Sequence, residues 1–377
     1  MKIDFTNLIQ GFYEAERLFG YFSSERSVPD FAFNVLNQLG LLYRPVVNEN
    51  YLNRDGVRPI WPNGKKFAVC LTHDVDRVSL FSLKQHLRNA LKHFVYKDSF
   101  VDKMKGPAAL GVNMTKMLTN PNKRDPLHCY EHWLEIEQRY NSHSTFFFWS
   151  GLQAVKKRHW SDCVYELSDS IVFDNQKCSV AEMIREIDRR GWEVGLHPSW
   201  FSYNDVKELK RQKDALEETL GHEVVSLRQH HLHYDIRVTP RVHSDAGFKY
   251  DSSLGFNDNI GFRFGTCYPW HLYDLKHEKQ LPIIEIPLII QDSAMLNPNK
   301  GMRLNVDMAF QYVMQLAEAV ENVGGVLTLL WHPYHIIQEP YRDLFLKTLD
   351  YLKQRNAWFA SVKEIGMHWE SQYQHQN

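Results

Sequence analysis

The stretch FAVCLTHDVDRV (residues 67–78) decides the fold. It opens with an apolar run that predicts a buried strand, and the run ends in His73, Asp74 and Asp76. Carboxylates that leave water need a cation or a dense set of hydrogen-bond donors around them. We therefore expect a neutralising group beside the C-terminal end of this strand.

Similar apolar runs recur along the chain, and helical segments alternate with them. The further strand candidates are residues 144–149, 192–196, 224–228, 248–253, 283–288 and 325–331, and the helix candidates are residues 129–140, 180–190, 204–220, 305–322 and 341–354. Gly191 and Gly221 stand where helix C-termini are expected. Strand–helix alternation predicts an α/β fold with a mainly parallel sheet, and seven such strands close most readily into a barrel. In parallel barrels the chemistry gathers at the C-terminal ends of the strands.

The chain divides into an accessory segment and a barrel domain. Residues 1–62 precede the first strand and form a helical accessory segment with a linker. Residues 63–377 form the barrel, with a helical insertion at residues 80–125. The insertion is basic, which leaves peripheral contact with a membrane open.

Composition excludes some partners and locations. Lys and Arg number 44 against 45 Asp and Glu, so no net attraction to nucleic acid is expected. Charges interrupt the apolar N-terminus, and no apolar run approaches the length of a transmembrane helix. The sequence therefore predicts a soluble, cytoplasmic protein, and it predicts no oligomeric state. Its five cysteines are scattered and form no C-x-x-C pair, so we expect neither disulfides nor a cysteine zinc site.

Histidines and carboxylates follow several of the predicted strands. Besides the first strand's acids, the candidates are His197, Arg228, His230, His231, His233, Asp251, Ser253 and His332. Such side chains converging from several strand ends suit a divalent ion of the zinc type.

Five motifs carry a family resemblance. THDVD (72–76), GLHPS (195–199), LRQHH (227–231), YDSS (250–253) and LLWHP (329–333) occur in this order. Together they resemble the motifs of the polysaccharide deacetylase family, the NodB-homology or carbohydrate esterase 4 group, over roughly residues 65–335. The resemblance implies a distorted (β/α)₇ barrel and a divalent metal held by one Asp and two His. It also implies hydrolytic removal of acetyl groups from N-acetylated sugars.

The resemblance assigns a metal site. Asp76 matches the metal-binding aspartate and His197 the first metal histidine. The family places a second histidine four residues on, where this chain has Phe201. We expect His230 to replace it, with His231 and His233 as rivals. We expect one divalent metal ion. Zinc is the first candidate, and cobalt, nickel, manganese and iron are the alternatives.

The resemblance also assigns catalytic roles. Asp74 matches the catalytic base, although here a valine separates two acids that are usually adjacent. Arg228 is expected to orient Asp74. Asp251 is expected to orient His332, the general acid, for which His335 is a rival.

Aromatic and basic residues near the strand ends are candidates for substrate contacts. We expect Trp200 and Trp331 to stack on a sugar ring and Arg263 to bind its hydroxyl groups. The expected substrate is an acetamido sugar of a glycan or glycan precursor. One alternative is hydrolysis of another non-peptide C–N bond on the same barrel. The others are a catalytically silent barrel that binds glycan or protein, and an iron oxygenase with two His and one carboxylate.

Overall fold

The computed structural model describes residues 40–54, 56–96, 99–119, 124–152 and 159–374. The helical pattern predicted for the first 39 residues lies outside this range. The strands are β1 (Ala68–Val75), β2 (Thr145–Phe148), β3 (Ser170–Phe173), β4 (Gln176–Ser179), β5 (Glu193–Leu196), β6 (Ser226–Leu227), β7 (Tyr250–Asp251), β8 (Trp270–Asp274), β9 (Lys279–Glu285), β10 (Leu288–Gln291), β11 (Val326–Leu330) and β12 (Trp358–Ala360). The α-helices are α1 (Val46–Leu52), α2 (Leu83–Tyr96), α3 (Phe100–Thr119), α4 (Tyr130–Arg139), α5 (Val180–Arg189), α6 (Val206–Leu220), α7 (Thr239–Asp245), α8 (Asp292–Leu296), α9 (Val306–Val323), α10 (Glu339–Gln354) and α11 (Val362–Gln374).

One large sheet forms the centre of the molecule. Its strand order is β10-β11-β1-β2-β5-β6-β7-β9-β8, and β12 pairs with β1 beside this path. All of these pairs are parallel except β8 with β9. The strand–helix connections therefore place the C-terminal ends of the parallel strands at one end of the sheet.

The sheet curls back on itself through one bent strand. β9 pairs with β7, and β10 pairs with β11. Only Ile286 and Pro287 separate β9 from β10, so a single stretch of chain adjoins both ends of the parallel array. Counting this stretch once gives seven parallel strands in a distorted barrel, which confirms the predicted fold class.

The predicted apolar runs each contain a strand. All eight residues of β1 are buried, as its apolar composition requires. The five predicted helices are present, and α6 ends at Gly221 in the left-handed conformation (φ 80°). The sequence did not reveal the β3–β4 hairpin, β8 or β12, which are short or only half buried.

The described part of the accessory segment packs onto the barrel. Residues 41–43 form a 3₁₀ turn and α1 follows, with Val47 in the hydrophobic core. Trp61 is buried and its Nε1–H donates to the carbonyl of Gly324 at 2.8 Å. The predicted insertion contains α2 and α3, which pack against each other.

The described helices and the cysteines can be compared with the sequence-based expectations about membrane spans and disulfides. In the described ranges no helix combines the length and apolarity that crossing a bilayer requires. All five cysteines are free thiols, and four of them are buried.

Candidate active site

A polar pocket lies where the C-terminal ends of β1, β5, β6, β10 and β11 meet. It is lined by Asp74, Asp76, His197, His230, His231, Leu232, Asn257, Gln291, Ser293, Lys300, His332 and Tyr334. The pocket therefore collects most of the residues that the sequence placed at strand ends.

The two acids of the first motif share one face of the chain. Asp74 is the penultimate residue of β1 and Asp76 follows the strand directly. Side chains two positions apart in an extended chain point the same way, so both acids line the pocket while Val75 is buried on the other side. The intervening valine thus keeps the two carboxylates together.

Arg228 holds Asp74 from inside the barrel. Its guanidinium is fully buried and donates to Asp74 Oδ1 at 3.2 Å and to Thr72 Oγ1 at 2.6 Å. Two further bonds of 2.7 Å run to the carbonyl and hydroxyl of Ser252. With its donors fixed in this way, Arg228 sets the orientation of the Asp74 carboxylate, as expected.

Asp76, His197 and His230 converge on one point. The Nε2 atoms of His197 and His230 lie 3.3 Å and 3.5 Å from Asp76 Oδ1. The two imidazole rings are 4.8 Å apart and steeply tilted. The three groups therefore offer two nitrogens and one carboxylate oxygen to a common centre.

The chemistry of these donors fits a divalent cation. His197 Nδ1 lies 2.7 Å from the carbonyl of Arg228 and so donates to it, which leaves a lone pair on Nε2 facing the carboxylate. Asp76 Oδ1 is buried and has no hydrogen-bond partner of its own. Burial would raise the pKa of Asp76, but His197 and His230 lower it well below its usual value, so the carboxyl is ionised. An ionised oxygen facing ring nitrogens in a buried site is the ligand set that zinc-type ions prefer.

Among the three candidate histidines His230, His231 and His233, the structure pairs His230 with Asp76. His233 is buried with its Nδ1 2.9 Å from the carbonyl of Trp200. His231 is exposed at the mouth of the pocket in a left-handed conformation (φ 55°). Phe201, where the family's histidine would stand, contacts the ring of His233 instead.

Asp162 lies behind His230, and no sequence pattern pointed to it. Asp162 Oδ1 lies 3.9 Å from His230 Nδ1 and accepts from the backbone N–H of Trp200 at 2.8 Å. Burial would lower the pKa of His230, but Asp162 and Asp76 together raise it to about 9. The ring thus lies between two carboxylates, which again calls for positive charge. Asp162 stands in an irregular loop, so no strand end marks it.

His332 is positioned by Asp292, so the prediction that Asp251 orients it is wrong. Asp292 Oδ1 accepts from His332 Nδ1 at 2.7 Å and Oδ2 accepts from the His332 backbone N–H at 2.8 Å. Asp251 is buried and bonds His243 Nδ1 at 2.6 Å. Its strand, β7, is not a neighbour of β11: β6, β5, β2 and β1 lie between them on one side, and the bent stretch of β9 and β10 lies between them on the other. The end of that bent stretch, not β7, supplies the carboxylate beside His332.

Asp292 also binds His335, the rival for the acid role. His335 Nδ1 lies 2.6 Å from Asp292 Oδ2, and its ring stacks on Tyr341 at 3.7 Å. Burial would raise the pKa of Asp292, but the two histidines hold it far below its usual range. Burial would lower the pKa of His332, but Asp292 raises it to about 9. His332 lines the pocket and His335 does not, which favours His332 as the proton donor.

Three predicted substrate contacts are not at the pocket. Trp331 is buried in the core with its Nε1–H donating to the carbonyl of Tyr341 at 3.1 Å, because strand alternation turns it away from the side of His332. Arg263 is buried and donates to the carbonyl of Gly255 at 3.0 Å. Trp200 is also buried and stacks on His159 at 3.9 Å. None of the three residues lines the pocket, so the structure does not bring them together with the proposed site.

The residues that the sequence missed follow the bent strand. The apolar pattern predicts one strand over residues 283–288, whereas the chain continues as β10 to Gln291, and Asp292 and Ser293 follow it directly. The signal was present, since the apolar residues 288–290 are followed at once by polar ones. Asn257, Lys300 and Tyr334 come from loops, which carry no such signal.

Solved structures with the same architecture identify the fold. A putative polysaccharide deacetylase from Mycobacterium smegmatis is 20% identical over 84% of this chain and 95% of its own, with a TM-score of 0.55. The chain has the polysaccharide deacetylase fold. A probable polysaccharide deacetylase from Pseudomonas aeruginosa PAO1 and Puue allantoinase each match at 15% identity and a TM-score of 0.51, over 84% of this chain and 94% of theirs. No protein-family model matches the sequence, and no curated protein is similar to it.

Proposed function

We propose that this chain is a metal-dependent hydrolase that removes an acetyl group from an N-acetylated sugar of a glycan or glycan precursor. The observation that carries the proposal is the meeting of three groups in one pocket. The first is Asp74, hydrogen-bonded to Arg228, and the second is the triad of Asp76, His197 and His230. The third is His332, hydrogen-bonded to Asp292. The fold, shared with solved polysaccharide deacetylases, supports the same proposal.

The triad would hold one divalent ion, with zinc the first candidate. Such an ion supplies Lewis acidity and water whose pKa is lowered towards about 7. The carbonyl of Arg228 accepts a hydrogen bond from His197 and so orients this ligand, while the carboxylate of Asp162 faces the other side of the His230 ring at 3.9 Å. Ligands that are held before the ion binds lose little conformational freedom on binding.

Asp74 acts as the general base in this proposal. Its carboxylate takes the proton from the attacking water as the new C–O bond forms at the acetyl carbon. The bond from Arg228 fixes Oδ1, so the orientation of the carboxylate in the pocket is set. Asp74 has only a small exposed fraction, which keeps bulk water from competing for the proton.

His332 acts as the general acid. When the C–N bond breaks, the leaving amine needs a proton, and the Nε2–H of His332 supplies it. Asp292 holds Nδ1, so Nε2 points towards the pocket, where it lies 3.8 Å from Asp76 Oδ2. The products are acetate and the free amino sugar.

Acetate release tests the proposal. The purified chain, loaded with zinc, is incubated with N-acetylglucosamine and its short oligomers, with and without a chelator, beside Asp74→Asn. We expect acetate from the parent, none after chelation, and a loss of at least about 100-fold in the variant. No acetate from any sugar would contradict the proposal and favour a silent glycan-binding or protein-binding barrel.

Hydrolysis of another C–N bond is the second candidate. It is favoured by the fold shared with Puue allantoinase, whose TM-score equals that of one deacetylase. Cyclic ureides and amides in the same assay separate the two, since ring opening without acetate release would replace the first proposal. The cytoplasmic location stays a prediction.

A further inference from the structure

Two helices of the insertion turn a broad apolar surface outward. We call α2 and α3 together the helical hairpin. Of the fourteen large apolar side chains that are exposed among the described residues, nine belong to it. They are Leu83, Leu87, Leu91, Phe94, Val95, Phe100, Val101, Met104 and Val112, with exposed fractions between 42% and 76%. Leu87, Leu91, Phe94 and Val95 recur at three- and four-residue spacing and so share one face of α2. An exposed apolar face of this kind marks an interaction site.

The orientation of α2 is the reverse of that of an ordinary surface helix. Its basic side chains face the barrel, where Lys84 and Arg88 pair with Glu166 and Asp169 at 2.6 to 3.1 Å. Its leucines recur every four residues from Leu83 and form the outer stripe. The basic face of α2 is thus bound to the barrel, and its apolar face is available for contact with a partner.

The charge of this region indicates an anionic partner. Between residues 77 and 119 there are eight Lys and Arg and two Asp, whereas the whole chain has a net charge of −1. α2 contains no acidic residue. Without Lys84, Arg88 and Lys92, which bind the barrel, five Lys and Arg still remain in this region against the two Asp. An apolar surface in a region with such an excess of positive charge matches the interface of a bilayer that contains anionic lipid. No described helix is long and apolar enough to cross that bilayer, so the expected contact is with its surface.

The hairpin stands at the catalytic end of the barrel. It begins at Leu83, a few residues beyond Asp76, and so emerges from the end of β1 that bears the site. Lys92 of α2 donates to the carbonyl of Asp162, the residue behind His230. A membrane bound to the hairpin would therefore lie near the opening of the pocket.

We infer that the helical hairpin docks on an anionic bilayer and that the site acts on an acetamido sugar carried by a lipid. The docking stands on the hairpin's own surface and charge. The lipid-borne substrate rests on the proposed deacetylase function and on the place of the hairpin at the catalytic end.

Vesicle sedimentation tests the docking. The full chain is mixed with phosphatidylcholine vesicles with and without phosphatidylglycerol, beside the triple variant Leu87→Glu/Leu91→Glu/Phe94→Glu. The matched control, Met308→Glu/Met367→Glu, changes exposed apolar residues on other helices. We expect the parent and the control to sediment with the anionic vesicles, less so at high salt, and the triple variant to bind at least tenfold more weakly.

Two results would overturn the docking. One is equal binding by the triple variant. The other is that the full chain does not bind the vesicles, which is the result expected if a second copy of the chain or residues 1–39 cover the apolar surface of the hairpin instead. Sedimentation equilibrium detects a second copy, because the parent would then be a dimer and the triple variant a monomer. Because the changed side chains are exposed, unchanged melting curves will show that the variants are folded.

Turnover separates the substrate inference from the proposed function. Acetate release is measured from soluble N-acetylglucosamine oligomers and from an N-acetylglucosaminyl lipid in anionic vesicles. We expect the triple variant to keep its rate on the soluble sugar and to lose at least tenfold on the lipid-borne one. Equal loss on both, or none on either, overturns the lipid-borne substrate. A parent that releases acetate from neither overturns the deacetylase function, while the sedimentation result still decides the docking.

Discussion

Replacing Asp292 by Asn removes the charge that supports the proposed acid while keeping its shape. The bond between Asp292 and protonated His332, 2.7 Å long, is of the charge-assisted kind. Such a bond is worth about 1.5 to 3 kcal/mol, which corresponds to a shift of about one to two pKa units. The pKa of His332 is about 9 with Asp292 present. In Asp292→Asn it should therefore fall to about 7 to 8.

The sign of the shift makes the defect depend on pH. At pH 6.5 His332 is mostly protonated with either residue, so the rates should differ by less than about 1.5-fold. At pH 9 the protonated fraction falls from about one half to between about one hundredth and one tenth, which predicts a loss of about 5- to 50-fold. Acetate release by zinc-loaded enzyme between pH 6 and 9.5 measures both.

Asp274→Asn is the matched control. Asp274 is equally buried and bonds His277 Nδ1 at 2.6 Å, but it lies on β8, away from the pocket. We expect the control to follow the parent at every pH. A profile for Asp292→Asn that also follows the parent at pH 9 would refute the assignment of His332 and Asp292. A loss of acetate release by the same factor at every pH would mean that Asp292 positions His332 without raising its pKa.

The other predictions concern the base, a buried acid and the support of the metal ligand. Asp74→Asn should keep the metal and lose turnover, measured by elemental analysis and acetate release; retained turnover would remove Asp74 as the base. Burial, with repulsion from Asp251, raises the pKa of Glu285 well above 4.5. The folded state therefore keeps a proton that the unfolded state releases, and the stability of the folded protein falls as pH rises. Glu285→Gln should gain stability relative to the parent between pH 5 and 8, by at most about 1.4 kcal/mol per pH unit, and a constant difference in urea unfolding would contradict this. Asp162→Asn should weaken zinc affinity by about 10- to 100-fold in competition with a chelating dye, and unchanged affinity would show that it does not support His230.

The sequence predicted the barrel well because buried parallel strands leave a continuous apolar signal. Each of the seven runs contains a strand, and the polar residues that follow β1, β5 and β11 do reach the pocket. His230 does lie beside Asp76, at the end of the strand next to β5, and its role as a metal ligand stays a prediction. Alternation along an extended chain explains why Asp74 and Asp76 meet.

The failures have equally physical causes. Asp251 was chosen for His332 by its motif, but which carboxylate meets a histidine depends on the order of strands, and the bent strand brings Asp292 there instead. Trp331 was expected beside the sugar because it adjoins His332, yet neighbouring residues of an extended chain face opposite ways. Asp162 comes from a loop whose path only tertiary packing fixes.

The most direct test of the account is the metal content of the parent beside His230→Ala and His233→Ala, with acetate release measured on the same zinc-treated samples. We predict about one divalent ion per chain in the parent and in His233→Ala, and the loss of both ion and acetate release in His230→Ala. A parent that binds no ion and releases no acetate, or a His230→Ala that keeps both, would contradict the proposed metal site.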